Sequence, residues 1–331
     1  MKNPFMNRAV ALAGSGIAAS LLLAGCVGPT PEVGAAPPMH RQAALVYEQA
    51  DVVLEETYGA LAKADAALDP QLLSDRVAGD ALLVRAAQYK VAAASAANGP
   101  DVLPAETQAV YVSAADSWPR VMATVSVQPG ENLTPVVSLW VQDDIATPYS
   151  LRGWAHMIPG SSLPAMPSDV VGAKQLDLTD ATVSPTARET VEKYLEFLRG
   201  GEGSELAAEF SADTYSERLF AARSVLSSAA SGAGGAYVDT IQPDFANTFA
   251  LGTSDGGALV FAPVDIASSF SVSNAKVSVA EPDRPLVEGT LDARVTHRYR
   301  DLVVFYIPGP GTDALPGVVA ADHHLVRVTA D

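Results

Sequence analysis

One cysteine, Cys26, is the whole thiol inventory of this 331-residue chain, so no disulfide can form within it and stability has to come from packing. Cations are scarce as well: 21 Lys and Arg stand against 38 Asp and Glu, a formal net charge of −17. That balance argues against nucleic acid, whose binding is driven by Lys and Arg neutralising phosphates, and against adsorption on anionic lipid or anionic wall polymer. No apolar run reaches the about 20 residues of a membrane-spanning helix. No two histidines sit four apart on a recognisable helix, so the helical zinc motif is missing.

What is present starts at the N-terminus. Lys2 and Arg8 precede Ala9 to Leu23, a short apolar and small-residue stretch. A positive start, a short apolar run and small residues before a cut site mark a cleaved signal peptide, here residues 1–25. The ending Leu23-Ala24-Gly25-Cys26 resembles the bacterial lipobox, in which the cysteine sulfur takes a diacylglycerol and becomes the first residue of the mature chain. Two or more acyl chains hold a protein stably at a bilayer, where one does not. The expected location is therefore the extracytoplasmic face of the cell membrane, anchored through Cys26. An ordinary secretory signal with a chance cysteine is the alternative. Residues 26–38, with Pro29, Pro31, Pro37 and Pro38, read as a flexible tether.

Beyond the tether the pattern runs twice from helices to strands. Ala43, Val46, Ala50, Val53, Thr57, Leu61, Ala64 and Leu68 fall at helical spacing. Asp69-Pro70 reads as a cap and first helical position, with Gly79 closing a short second helix. Residues 81–94 fit helix or strand. Strands are expected over 108–114, 120–127, 136–142 and 149–158, punctuated by Trp118-Pro119, Pro129-Gly130, Thr147-Pro148 and Pro159-Gly160. In the second half Ser184-Pro185 starts a helix whose face is Ala187, Val191, Tyr194, Leu195 and Leu198, stopped by Gly200-Gly201. A further helical piece spans 204–226, broken near Asp213, and a flexible segment covers 231–235. Strand-like runs follow around Phe249 and over 259–264, 269–279, 291–299, 302–307 and 318–328.

The length suits two domains. Residues 39–160 and 184–331 are read as tandem α+β domains with a linker at 161–183. His156-Met157-Ile158-Pro159-Gly160 returns in form as Phe305-Tyr306-Ile307-Pro308-Gly309, about 150 residues on, and Tyr47 and Tyr194 are spaced alike. A long helix clasped by a curved antiparallel sheet resembles the nuclear-transport-factor-like and cystatin-like cones.

The lipobox at Cys26, Arg76-Val77-Ala78-Gly79 with Arg85 and Tyr89-Lys90, Trp118-Pro119-Arg120, Pro148-Tyr149, Pro159-Gly160 and Gly256-Gly257-Ala258-Leu259-Val260 together resemble an actinobacterial family of cell-envelope lipoproteins of unknown function. The resemblance implies related domains attached to membrane proteins of envelope polysaccharide assembly. It carries over no catalytic residue, since the family has none assigned.

Gly252-Thr253-Ser254-Asp255-Gly256 matches the G-x-S-x-G nucleophile pattern, but a strand-like run follows it where that motif needs a helix, so a hairpin turn explains it better. Of the five histidines, His323 and His324 are adjacent in a strand and expected on opposite faces; Asp322 and His324 share a face, a metal half-site at most. Asp143-Asp144 offers two acids to calcium, against the simpler reading of a loop cap. No metal, cofactor or catalytic residue is assigned.

The most suggestive constellation lies on 149–158, where alternation places Arg152, Trp154 and His156 on one face, opposite Tyr149, Leu151 and Ala155. Trp118, Arg120 and Trp140 fall in the same half. On a concave face, Arg and Trp can stack on a sugar ring or grip a carboxylate. Against this stands the plainer reading that the tryptophans fill the core and Arg152 lies on a solvated face. The expected function is a non-catalytic binding or assembly role with an envelope protein or glycan. A hydrolase of cell-wall or lipid-linked saccharide, using His156 with Asp143 or Asp144, and a structural spacer are the alternatives.

Overall fold

A computed structural model describes residues 42–330 apart from 96, 98, 116, 132 and 274. The signal, Cys26 and the tether lie outside the described residues, which belong to one compact unit.

The first half begins with α1 (Tyr47–Ala67), which buries Ala50, Leu54, Thr57, Leu61 and Ala64, the three-and-four spacing of one helix face. It ends where Leu68 turns left-handed and Asp69 N–H donates to Ala64 O at 3.1 Å. Asp69 then caps the 3-10 turn Pro70–Leu73 by accepting from Gln71 N–H at 2.9 Å. Gly79 does not close that helix. It opens α2 (Gly79–Ala94) at a positive φ of 59°, and the ambiguous stretch 81–94 is helical. Four strands follow at the expected places: β1 (Thr107–Val112), β2 (Arg120–Ser126), β3 (Val136–Gln142) and β4 (Ser150–His156), an antiparallel meander in sequence order.

The stretch 161–183 carries β5 (Gln175–Leu176). Thr186 caps α3 (Ala187–Gly200), its hydroxyl accepting from Glu189 N–H at 3.2 Å while the Glu189 carboxylate accepts from Thr186 N–H at 2.9 Å, a capping box. The expected face of α3 is buried throughout. The next helical piece is broken where anticipated: Asp213 caps α4 (Thr214–Gly232), accepting from Ser216 N–H at 2.7 Å. The helix overruns the start of the segment read as flexible. Strands β6 (Ala236–Pro243), β7 (Phe249–Gly252), β8 (Ala258–Ser271), β9 (Val287–Glu288), β10 (Arg294–Ile307), β11 (Gly317–Ala321) and β12 (His324–Ala330) complete the chain. The two runs 291–299 and 302–307 form one strand, β10. It pairs with β8 along its whole length, from Arg294 opposite Ser271 to Ile307 opposite Ala258. These long strands exchange neighbours midway: β7 and β11 flank one end, β6 and β12 the other. The sheet is antiparallel except for the short pairing of β9 with β12.

The architecture is therefore α+β, with two largely antiparallel sheets. At their centres both sheets are buried on both faces. In the first, Met122, Trp140 and Leu151 pack under α1 and α2, while Val121, Ala123, Leu139 and Val141 meet Leu259, Phe261, Leu302 and Val304 of the second. The opposite face of the second sheet, with Val260, Ala262, Val303 and Phe305, packs against Tyr194 and Leu198 of α3. The order of layers is helices, sheet, sheet, helices. Double-sided burial explains the nearly unbroken apolar runs of β3 and β8, because neither pleat face is left to water. The tyrosine echo is not structural: Tyr47 opens α1 and is 54 % exposed, whereas Tyr194 is fully buried.

Candidate functional site

The strand expected to carry a ligand-facing row is interrupted. On the β3–β4 ladder Leu139 faces Gly153 and Trp140 faces Leu151, so Arg152 is an extra residue, a β-bulge. The bulge inverts the alternation. Tyr149, Leu151 and Trp154 all join the core beneath the helices, while Ala155 faces the second sheet. The expected opposition of Trp154 to Tyr149 and Leu151 is thus corrected; that of Trp154 to Ala155 stands.

Arg152 is thrown to the seam between the two halves. Its Nε donates to Ser150 Oγ at 2.9 Å, its Nη2 pairs with the Asp143 carboxylate, and its stem lies over Gly79, where an added Cβ would sit 3.5 Å from Cδ. Around it runs a narrow cleft of about 20 Å³ lined by Asp80, Arg152, Trp154, Arg300, Leu302 and His324. Asp80 and Arg152 also border a neighbouring space of about 60 Å³, reaching Asn247 and Phe249. Arg300 enters from β10, its Nη1 2.5 Å from Asp265 Oδ2 and its Nε 3.5 Å from Asp80 Oδ1. Burial pushes the Asp80 carboxyl up, and the Arg300 charge opposes that shift.

Behind the cleft lies a buried polar network. Arg85 of α2 is almost fully buried; its Nη1 donates to Asp101 O at 2.8 Å and Gln88 Oε1 at 3.0 Å, and Nη2 to Asp65 Oδ2 at 3.3 Å. Its Nε lies 3.2 Å from Asp65 Oδ1 without hydrogen-bond alignment. The Asp101 carboxylate accepts from Gln88 Nε2 at 2.6 Å and Trp154 Nε1 at 3.3 Å. The His324 ring lies against Trp154, and His324 Nδ1 stands 3.7 Å from Asp101.

The histidines are partnered, though not as the sequence suggested. His156 does not meet Asp143 or Asp144: its Nδ1 is 2.7 Å from Asp322 Oδ2 in the β11–β12 turn, and that oxygen also accepts from His156 N–H at 3.1 Å. The hydrogen bond to Asp322 raises the His156 pKa, outweighing burial. His323 and His324 do point to opposite faces. His323 Nδ1 lies 2.8 Å from the buried Asp301, which also accepts from Tyr215 Oη at 2.6 Å, and its ring stacks on Tyr299. His324 Nε2 is 3.7 Å from Asp322 Oδ2, beyond hydrogen-bond reach. Among the described residues no three acidic or histidine side chains form a group able to hold a metal ion.

The remaining nominated residues separate. Trp140 is core, its Nε1 donating to Thr124 Oγ1 at 3.0 Å beside Tyr58. Trp118, which is exposed, and the half-buried Arg120 form a stacked pair of their own. Asp144 caps its turn by accepting from Ala146 and Thr147 N–H at 2.7 and 3.0 Å. The serine motif is the β7–β8 hairpin turn: Asp255 accepts from Tyr306 Oη at 2.6 Å and Gly309 N–H at 2.9 Å, tying it to the Pro308-Gly309 turn. Sequence reasoning missed Asp80, Arg85, Asp101, Arg300 and Asp301. Only Arg85, an arginine amid apolar helix positions, carried a local signal.

No helix among the described residues is long and apolar enough to cross a membrane. A family model described as a domain of unknown function, DUF8094, matches residues 41–325, and the chain belongs to that family. No curated protein and no solved structure matches the chain.

Proposed function

We propose that this member of the DUF8094 family is a lipoprotein of the actinobacterial envelope type, anchored through Cys26 at the extracytoplasmic face of the membrane, and that it binds another envelope component, protein or glycan, without catalysing a reaction. The lipobox and the proline-rich spacer support the anchor. The observation that carries the binding role is the seam cleft. There Arg152 and Arg300 enter from the two halves with Asp80 between them, and the Arg152 and Arg300 side chains keep partial solvent access. A few convergent charged groups over an apolar floor orient a ligand.

Site-specific photo-crosslinking from Asn247, in the space that adjoins the cleft through Asp80 and Arg152, in living cells tests this reading. Capture of one envelope protein or glycan, lost in Arg152→Glu, is the expected result; no capture, or equal capture by the variant, overturns it. Fatty-acid labelling that survives Cys26→Ser overturns the anchor. A second reading, hydrolysis of cell-wall or lipid-linked saccharide, is favoured by the half-exposed His156–Asp322 pair at 2.7 Å, suited to acid–base work. Saccharide release by the intact protein, abolished in His156→Ala, would establish it in place of the first.

A further inference from the structure

Two carboxylates flank one imidazole where the halves of the molecule meet. His324 opens β12, in the second half. Its Nδ1 stands 3.7 Å from Asp101 Oδ2, on the irregular stretch between α2 and β1 of the first half. Its Nε2 stands 3.7 Å from Asp322 Oδ2, in the β11–β12 turn. Both gaps exceed hydrogen-bond reach, and Nε2 is buried with no hydrogen-bond partner. The residue itself is held in place. Its ring lies 5.4 Å from that of Trp154, and its backbone N–H donates to Asp301 Oδ1 at 3.1 Å.

The charge on the ring decides what this setting can bond. A neutral imidazole carries one N–H and one lone pair, whereas an ionised carboxylate only accepts. The neutral ring can therefore serve one of the two acids and turns a lone pair on the other. An imidazolium carries N–H on both nitrogens and matches both. Charged N–H···O bonds settle near about 2.8 Å, so each gap shortens by about 1 Å. The acids are placed to make that movement, since neither Asp101 nor Asp322 lies in a helix or strand. Both have acceptor positions to spare: Asp101 accepts from Gln88 and Trp154, and Asp322 from the ring and N–H of His156, of about four such positions on each carboxylate.

Other charged groups surround the ring. Asp80 and Arg85 come from α2, with Asp65 of α1 behind them, Arg152 and His156 from β4, Arg300 and Asp301 from β10, and His323 from the turn. The three arginines each hold a carboxylate of their own, Arg85 with Asp65, Arg152 with Asp143 and Arg300 with Asp265. His323 is taken up by Asp301. Asp101 and Asp322 are the acids left facing the two ring nitrogens.

We propose that His324 is a proton-driven latch across the seam: uncharged, it leaves Asp101 and Asp322 apart, and on taking up a proton it bonds both and draws the α2–β1 stretch of the first half towards the β11–β12 turn of the second. Histidine is the side chain whose charge ordinarily changes between about pH 5 and 8, so the latch closes on mild acidification. It needs no ligand and does not depend on what the seam cleft binds.

Amide hydrogen exchange of the full chain at about pH 5.5 and about pH 8, each corrected for the intrinsic rate at that pH, tests the latch. Residues 100–103 and 321–324 should be at least ~5-fold better protected at the lower pH, as one added hydrogen bond gives. His324→Gln, uncharged at both, should lose the difference. His156→Gln, which removes the other histidine on Asp322, should keep it. Should His324→Gln fail to fold, nitrogen NMR of the wild-type ring decides: both ring nitrogens of His324 should carry slowly exchanging protons at the lower pH. Equal protection at the two pH values, a difference kept by His324→Gln or lost in His156→Gln, or ring protons that exchange as fast as those of free histidine overturns the proposal.

Discussion

At the residue scale the chain handles buried charge by pairing it. Arg85 illustrates the rule, with Asp65, Gln88, the Asp101 carbonyl and the Trp154 ring around one guanidinium. Breaking such a cluster from one side leaves an uncompensated charge, which is why these partners act as a set. His156 gives a measurable case. Its folded pKa is raised, first by the hydrogen bond to Asp322, above the ordinary histidine value of about 6.5. A raised folded pKa means the stabilisation is fully present below about pH 6.5 and is lost as pH climbs through the folded value. The intact protein should therefore lose Tm as pH rises above about 6.5 more steeply than His156→Gln. Parallel pH profiles for the two proteins would show that the pair contributes nothing. Of the nominated residues, Trp154 and His156 could be placed near one another from the strand alone. Their partners Asp101 and Asp322 lie 53 and 166 residues away in the chain, beyond any local pattern.

At the scale of elements, caps and turns follow local rules. The Asp69 cap, the break at Asp213 and the stop at Gly201 were legible because the groups that satisfy each free backbone end lie a few residues away, while α3 starts at its Thr186–Glu189 box, just past the expected Ser184-Pro185. The bulge at Arg152 was not, because it is a property of two strands and only one was being read. Gly79 misled for a related reason: a glycine suits either end of a helix, and here the preceding residues 76–78 are held by β4 through Leu151 N–H to Arg76 O at 2.8 Å and Ala78 N–H to Leu151 O at 3.0 Å. The β7–β8 turn requires glycine for contact. A Cβ on Gly257 would lie 2.1 Å from Ile307 O, a backbone atom that can yield only by moving β10. Gly257→Ala should lower stability by at least ~2 kcal/mol, measured by urea denaturation. A cost below about 0.5 kcal/mol, that of an ordinary surface substitution, would contradict the close approach.

At the scale of the molecule, the two helix-and-sheet halves share a core, with Leu139 and Val141 of one against Phe261 and Leu302 of the other. All three tryptophans lie in the first half, Trp154 against His324 of the second, so their fluorescence reports chiefly on the first half. Phe261→Ala, in the second half, should lower the midpoint of the tryptophan-detected transition together with that seen by far-ultraviolet circular dichroism, by the ~3–5 kcal/mol of a buried aromatic truncation. An unmoved fluorescence transition would mean the halves unfold independently. The α+β class, the helices and the four strands of the first half were set by sequence alone, because hydrophobic period, caps and breakers act over a few residues; in the second half β6 was not read, and the run 269–279 leaves the sheet after Ser271. Which strand faces meet, where the bulge throws Arg152, and which carboxylate each histidine finds were decided by the tertiary structure, because those contacts join residues that only sheet-on-sheet packing brings together.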